Sequence, residues 1–367
     1  MKIGEKVLDA VRTADWRLDI AKQSVKSRLG LFDPVQVLPF KGYGTREKLI
    51  LTGRVLEESG VAELDRGAGF WKNVLNSLER FDSDEIPGAI VEARYGDERW
   101  SDLCDHDGYF RFEIEPQKVI EEGWVEVEVG LIASIAGDGA SGTARVLVPS
   151  SEAEFMIISD IDDTVIETGA MDTLRMVRTV LFQNAHQRTP FPGVVSLYNA
   201  LLLGPDEKGR NPIFYLSRSG WPLFDLFNIV FRENEIPEGP LLLRDLGILE
   251  KRSPKVGSEA HKLDHIRRLL EIYDYPVVLI GDSGQEDPEI YHEILTEYAD
   301  RIEAIYFRHV VGAERARQIE RMYKRNVAKL CVAPSTIEMA RHAVDRGLIS
   351  ENQLELVRQG LSSDLAR

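Results

Sequence analysis

The feature that most constrains this chain is the run from Glu154 to Gly169, where a short apolar stretch gives way to clustered acid. Phe155 to Ile158 is the length of a buried strand, and three carboxylates come after it within a span of four residues, Asp160, Asp162 and Asp163. Packing gives no reason for so much negative charge at a strand end. Open α/β sheets form ligand sites at the carboxyl ends of their strands, so a metal and a substrate are expected here. Asp160 and Asp162 read as a reacting pair, with Thr164 as a hydroxyl donor beside them.

Three plainer readings compete. In a calcium loop, Asp160, Asp162 and Thr164 would be alternate ligands, but Val165 stands where the turn needs Gly and Met171 where a bidentate Glu is needed. A helix N-cap at Asp163 or Thr164 accounts for one polar residue and leaves the others unexplained. A phosphoacceptor receiver domain also sets an Asp at a strand end among acids, and the stretch alone leaves that reading open.

Composition narrows the class of partner. The 45 Lys and Arg against 61 Asp and Glu give a net charge of −16, which disfavours nucleic acid, since binding a phosphate backbone draws on a cationic field. Cys104 and Cys331 lie far apart with no metal-ligand spacing, as expected of reduced thiols in a cytoplasmic protein. No run approaches 18 uninterrupted apolar residues, and the amino terminus lacks the apolar core of a signal peptide.

The expected fold class is α/β: a Rossmann-like parallel-sheet domain with an N-terminal β-sandwich domain and helical terminal segments. Residues 1–34 form the first segment, read as an amphipathic helix over residues 3–29, with Ile3, Val7 and Val11 on one helical spacing. Counting Lys2 just before it, its seven basic and four acidic residues and Trp16 suit peripheral contact with an anionic membrane, or packing against the protein itself. Residues 35–150 alternate with a period of two in five strand candidates: 49–56, 89–95, 109–114, 124–129 and 144–148. Phe70 to Leu78 reads as a short helix, and Asp105-His106-Asp107-Gly108 as a turn into a strand.

Residues 151–334 switch to strands alternating with helices, implying βαβ units and a mostly parallel sheet. Helical stretches are expected at 171–183, 194–203, 223–234 and 261–273, with strands at 212–216, 276–280 and 302–307 and a further apolar run at 240–245. Residues 335–367 read as a helical segment packed on the outside. Polar groups of complementary kinds follow the strands: acids at Asp160; Ser217, Arg218 and Ser219; and acids again at Asp282 and Asp287, with Lys262 in the connection before the last. Each is weak alone, because turns and solvated helices use the same residues. Together, in this order, they are a strong signal.

That order resembles the four motifs of the haloacid dehalogenase superfamily of phosphohydrolases: Asp160-Ile161-Asp162-Asp163-Thr164, Ser217, Lys262 and Gly281-Asp282-Ser283-Gly284-Gln285-Glu286-Asp287. More narrowly, these motifs with Thr168-Gly169, Tyr215 to Trp221, Gly239 to Asp245 and Pro288 to Tyr291 are similar to the catalytic domain of the actin-patch phosphatidate phosphatases and their bacterial relatives. Arg218, where that family has a small or polar residue, and Gly220, where it has Pro, depart from the pattern.

The resemblance implies a Mg2+-dependent phosphomonoester hydrolase working through an aspartyl-phosphate. A dianionic phosphate would be repelled by an anionic nucleophile unless a hard cation lay between them. Asp160 is then nucleophile and metal ligand, Asp282 and Asp287 are further metal groups, and the backbone carbonyl of Asp162 is a ligand by resemblance. The Asp162 side chain is the general acid and then the base, while Ser217, Lys262 and Thr164 stabilise the phosphoryl oxygens, with Arg218 and Ser219 on the substrate. The implied substrate is the phospholipid phosphatidate. A soluble phosphomonoester or phosphoprotein, and a non-catalytic metal-dependent phospho-ligand binder, are the alternatives.

Overall fold

A computed structural model describes residues 34–57, 86, 88–134, 136–161, 191–244, 258–309 and 312–366. The helices expected at 3–29, Phe70–Leu78 and 171–183 lie outside the described residues. The chain divides into two compact units at Val148 and Pro149.

The first unit is built of strands: β1 (Val35–Pro39), β2 (Gly42–Gly44), β3 (Leu49–Glu57), β4 (Ile90–Tyr95), β5 (Glu98–Leu103), β6 (Tyr109–Ile114), β7 (Gly123–Ala133) and β8 (Ser141–Val148). The expected sandwich would have two sheets, but all eight strands form one hydrogen-bonded sheet, in the order β1-β3-β2-β8-β7-β4-β5 with β6 also on β3. Every pair is antiparallel except β2 with β8. Because β3 pairs along both of its edges, the sheet curls over a single core to which Val55, Val91, Phe112, Val129 and Val146 all contribute.

Alternation sets which side faces in. In β7, Val127, Val129 and Leu131 are buried while Glu126 and Glu128 between them are exposed, as one solvated face of an antiparallel sheet requires. Three strands escaped the periodicity. β1 and β2 are short, the latter with glycine at both ends; β5, Glu98-Arg99-Trp100-Ser101-Asp102-Leu103, is too polar to read as a strand. β5 owes its place to the hairpin with β4, whose two-residue turn holds Gly96 at φ 61, a left-handed conformation that glycine adopts without strain.

The second unit is mixed α/β around a sheet whose paired strands all run parallel: β9 (Met156–Asp160), β10 (Ile213–Gly220), β11 (Leu241–Arg244), β12 (Val277–Asp282), β13 (Ile302–Arg308) and β14 (Leu330–Ala333). Their order across the sheet is β11-β10-β9-β12-β13-β14. The chain steps outward from β9 to β11, then returns to the other side of β9 for β12, so the order reverses between β9 and β12. Such a reversal leaves a crevice at the carboxyl ends of the strands, where ligands bind. Both strands are buried at every residue, as expected of a parallel sheet covered on its two faces.

Its described helices are α1 (Val194–Leu203), α2 (Phe224–Glu233), α3 (Ser258–Ile272), α4 (Asp287–Glu297), α5 (Ala313–Met322), α6 (Thr336–Asp345) and α7 (Glu351–Leu365). β14 was not anticipated, being four residues with little pattern. α6 and α7 pack within this unit: Thr336 Oγ1 donates to the Pro192 carbonyl at 2.6 Å, and the Gly193 N–H donates to Asp364 Oδ2 at 2.8 Å. Gly360 lets α7 lie against α1, because a Cβ there would collide with Ser196 Oγ. Among the described residues no helix is long and apolar enough to cross a membrane.

Candidate active site

Asp160 is the last residue of β9 and Asp282 the last of β12, the two strands flanking the reversal. Asp287 opens α4, where the helix N-terminus favours a carboxylate. All three are fully buried, and one carboxylate oxygen from each lies within 4.8 Å of the others. Lys262, on α3 and 2% exposed, reaches into this group with Nζ 2.7 Å from Asp160 Oδ1 and 2.6 Å from Asp287 Oδ1. Burial alone would lower the Lys262 pKa, but the charges of Asp160 and Asp287 outweigh it and hold the ammonium above the ordinary lysine value.

Three buried carboxylates meet here around the Lys262 ammonium, a concentration of acidic groups that burial makes costly. A donor set of hard carboxylate oxygens at this separation fits a divalent cation such as Mg2+, which would offset that cost. The other acidic group with metal-ligand spacing, Asp105-His106-Asp107 in the first unit, is explained by turn chemistry. Asp105 Oδ1 accepts from the N–H groups of Asp107 at 2.9 Å and Tyr109 at 3.0 Å, closing the turn into β6.

The loop after β12 is held from several directions. Asp282 Oδ1 accepts from the Gly284 and Gln285 N–H groups at 2.6 and 2.9 Å, while the Asp282 N–H donates to Asp287 Oδ2 at 3.2 Å. Gly281 is required for this approach, since a Cβ would stand 2.6 Å from Asp287 Oδ2. Arg315 of α5 clamps the loop from outside, donating to the carbonyls of Ser283 and Gln285, each at 3.2 Å, and pairing with both Glu289 oxygens at 2.8 Å. On the other side of β12, the Tyr291 hydroxyl donates to the Ile280 carbonyl at 2.9 Å. Tyr291 closes the last motif of the resemblance, whereas sequence reasoning missed Arg315 and Tyr198; the Tyr198 hydroxyl lies 2.6 Å from Ser159 Oγ, which donates to the Asp160 carbonyl at 3.1 Å. Arg315 and Tyr198 gave no periodic or motif signal.

Ser217 is fully buried near the end of β10, which pairs with β9 so that Leu216 stands opposite Asp160. Its Oγ accepts from the Ser219 N–H at 3.0 Å, tightening the backbone around Arg218. Arg218 Nη1 lies 3.4 Å from Glu286 Oε2 in the loop after β12. The structure therefore gathers Asp160, Asp282, Asp287 and Lys262, sets Ser217, Arg218 and Ser219 on the adjoining strand, and leaves Asp162 and Thr164 outside the described residues.

With this geometry in view, residues 155–309 match the family model described as "Phosphatidate phosphatase APP1, catalytic domain", which supports a phosphatase enzyme. Phosphatidate phosphatase APP1 of Saccharomyces cerevisiae is 30% identical over 155 residues, covering 41% of this chain and 25% of that protein. An uncharacterised protein of Schizosaccharomyces pombe is 25% identical over 209 residues, covering 56% of this chain and 34% of its own. The chain thus spans 25% and 34% of the length of these relatives. A solved structure of a carbohydrate acetylesterase from Xanthomonas citri covers 89% of this chain and 73% of its own at 9% identity, with a TM-score of 0.31, too low to bear on fold or function.

Proposed function

We propose that the chain is a Mg2+-dependent phosphomonoester hydrolase of the haloacid dehalogenase type on a Rossmann-like sheet, acting on phosphatidate to release diacylglycerol and phosphate. The observation that carries this reading is the buried trio Asp160, Asp282 and Asp287 with Lys262 among them, at the carboxyl ends of adjacent strands. The phosphatidate part rests on the similarity of residues 155–309 to a phosphatidate phosphatase catalytic domain.

Asp160, Asp282 and Asp287 would hold the cation, which supplies charge neutralisation between a phosphate dianion and the carboxylates. Asp160 Oδ attacks phosphorus, forming an aspartyl-phosphate as the bond to the leaving alkoxide breaks. Asp162, assigned from its place in the sequence, donates a proton to that alkoxide and then accepts one from the water that cleaves the intermediate. Lys262 keeps Asp160 oriented and balances charge as it shifts from carboxylate to phosphoryl oxygens. Ser217, with Thr164 assigned from sequence, supplies hydroxyl donors to those oxygens. Residues 3–29 would bring the catalytic unit to the lipid surface in a cytoplasmic setting.

The test is inorganic phosphate release from phosphatidate in mixed micelles, beside a soluble monoester, with Mg2+ present and with it chelated. Mg2+-dependent release from phosphatidate in preference to the soluble compound is expected. Preference for the soluble monoester would move the substrate assignment, and absence of release from either would overturn the enzyme reading.

A further inference from the structure

The Arg218–Glu286 pair connects the two sides of the crevice. Arg218 extends from β10 and Glu286 from the loop after β12, and these strands flank β9 on opposite edges. A link between them must cross the carboxyl end of β9, where Asp160 stands. Two strand spacings of about 4.8 Å each are within the combined reach of an arginine and a glutamate side chain.

Both anchors are fixed at the backbone. Arg218 sits in the turn closed by the Ser219 N–H on Ser217 Oγ, and Glu286 lies between Gln285, whose carbonyl is held by Arg315, and Asp287, which is buried in the acidic centre. The side chains are looser, 26% and 41% exposed, and 3.4 Å is long for a charge-assisted hydrogen bond. Such a pair exchanges partners at little cost. Glu286 also adds one more negative charge beside a site that must admit a phosphate.

We propose that Glu286 is a specificity-determining residue that occupies the Arg218 guanidinium as a surrogate anion, and that an incoming phosphate oxyanion displaces it. The strap opens by side-chain exchange while the backbone on either side stays in place. Arg218 then holds a non-transferring phosphate oxygen, and the displaced Glu286 carboxylate turns to solvent. Substrates with a doubly charged phosphate are favoured, because a singly charged phosphodiester competes less well against the carboxylate. The inference rests on the phosphatase reading only for the identity of the ligand as a phosphate.

Binding of inorganic phosphate to the full chain with Mg2+, followed by calorimetry, tests it apart from turnover. Glu286→Gln should bind phosphate about two- to five-fold more tightly than the parent, and Arg218→Ala more weakly by a similar factor. In the Arg218→Ala background, Glu286→Gln should recover much less affinity than it adds to the parent, because the guanidinium it would release is gone. Kinetically, Glu286→Gln lowers KM with little change in kcat. Weaker phosphate binding in Glu286→Gln, or effects of the two substitutions that simply add, would overturn the proposal. Thermal melting of each variant identifies any that fails to fold, in which case Glu286→Asp, which keeps the charge and shortens the reach, takes its place and should fall between parent and Gln. A parent that hydrolyses no phosphomonoester yet shows the stated order of phosphate affinities would refute the enzyme reading and leave the strap standing.

Discussion

The two units differ in the charge they bury. In the first, acids and bases pair where solvent reaches them, as Lys48 with Glu113 at 2.7 Å and Arg111 with Glu113 at 2.6 Å, and the buried charges among the described residues are one of each sign, Arg54 and Glu57. In the second, Asp160, Asp282, Asp287 and Lys262 are all buried at strand ends. Exposed pairs contribute little to stability and need little support, whereas buried charge is costly unless balanced, and is retained where a ligand uses it. Among the described residues, only the second unit gathers buried carboxylates at the ends of its strands.

The largest expected effect tests the chemical side of that contrast. Asp160→Asn should reduce phosphate release by about four orders of magnitude or more, as removal of a covalent nucleophile does, while circular dichroism stays that of the parent. Retention of substantial turnover would mean that the buried acids serve structure alone.

Next comes the balance of buried charge itself. Lys262→Met leaves the buried Asp160 and Asp287 without the ammonium they share, and stability measured by urea unfolding with a chelator present should fall by about 3–5 kcal/mol. Adding Mg2+ should restore part of that loss, because cation binding stabilises only the folded chain. No loss, or no recovery with Mg2+, would break the contrast by showing that the acidic trio is not held as charge.

The smallest effect belongs to the first unit. Hydrogen bonds from Lys48 and Arg111 hold the Glu113 carboxyl down to about 2, against an ordinary value of 4.5. A depressed folded-state pKa gives stability that is present above 4.5 and lost as pH falls through about 2. With the Glu113 side chain 40% exposed, solvent screening should keep the contribution below about 1 kcal/mol. Glu113→Gln should therefore flatten the acid limb of the stability profile only slightly; a drop as large as that from Lys262→Met would erase the distinction between the units.

How much could be read from the chain follows the same division. Asp160 and Asp282 stood out because each ends an apolar strand, and a buried parallel strand is a continuous run that ends abruptly, while Asp287 was legible only as part of the last motif. Lys262 was legible only through the order of motifs, since on its own it is one lysine in a charged helix. β5 was hidden because its strand character comes from pairing with β4 and not from its own six residues. Arg315 was hidden for a related reason: it acts on carbonyls some 30 positions back in the chain, and no local spacing announces that contact. The single curled sheet of the first unit was not readable either, because the double pairing of β3 is a property of register, which alternation alone leaves undetermined.

The reversal in strand order has a consequence for how the protein comes into being. β9 emerges from the ribosome long before β12, so the first carboxylate must wait for its partners while most of the catalytic unit is still being translated. On the proposed function, a half-made sheet would carry Asp160 without the Asp282 and Asp287 that complete a cation's shell, and the nascent chain would stay silent until the late strands dock. Assembly of the acidic trio and closure of the long-range sheet are one event, and a pulse-labelled chain should gain Mg2+ binding only when β12 becomes protected from proteolysis.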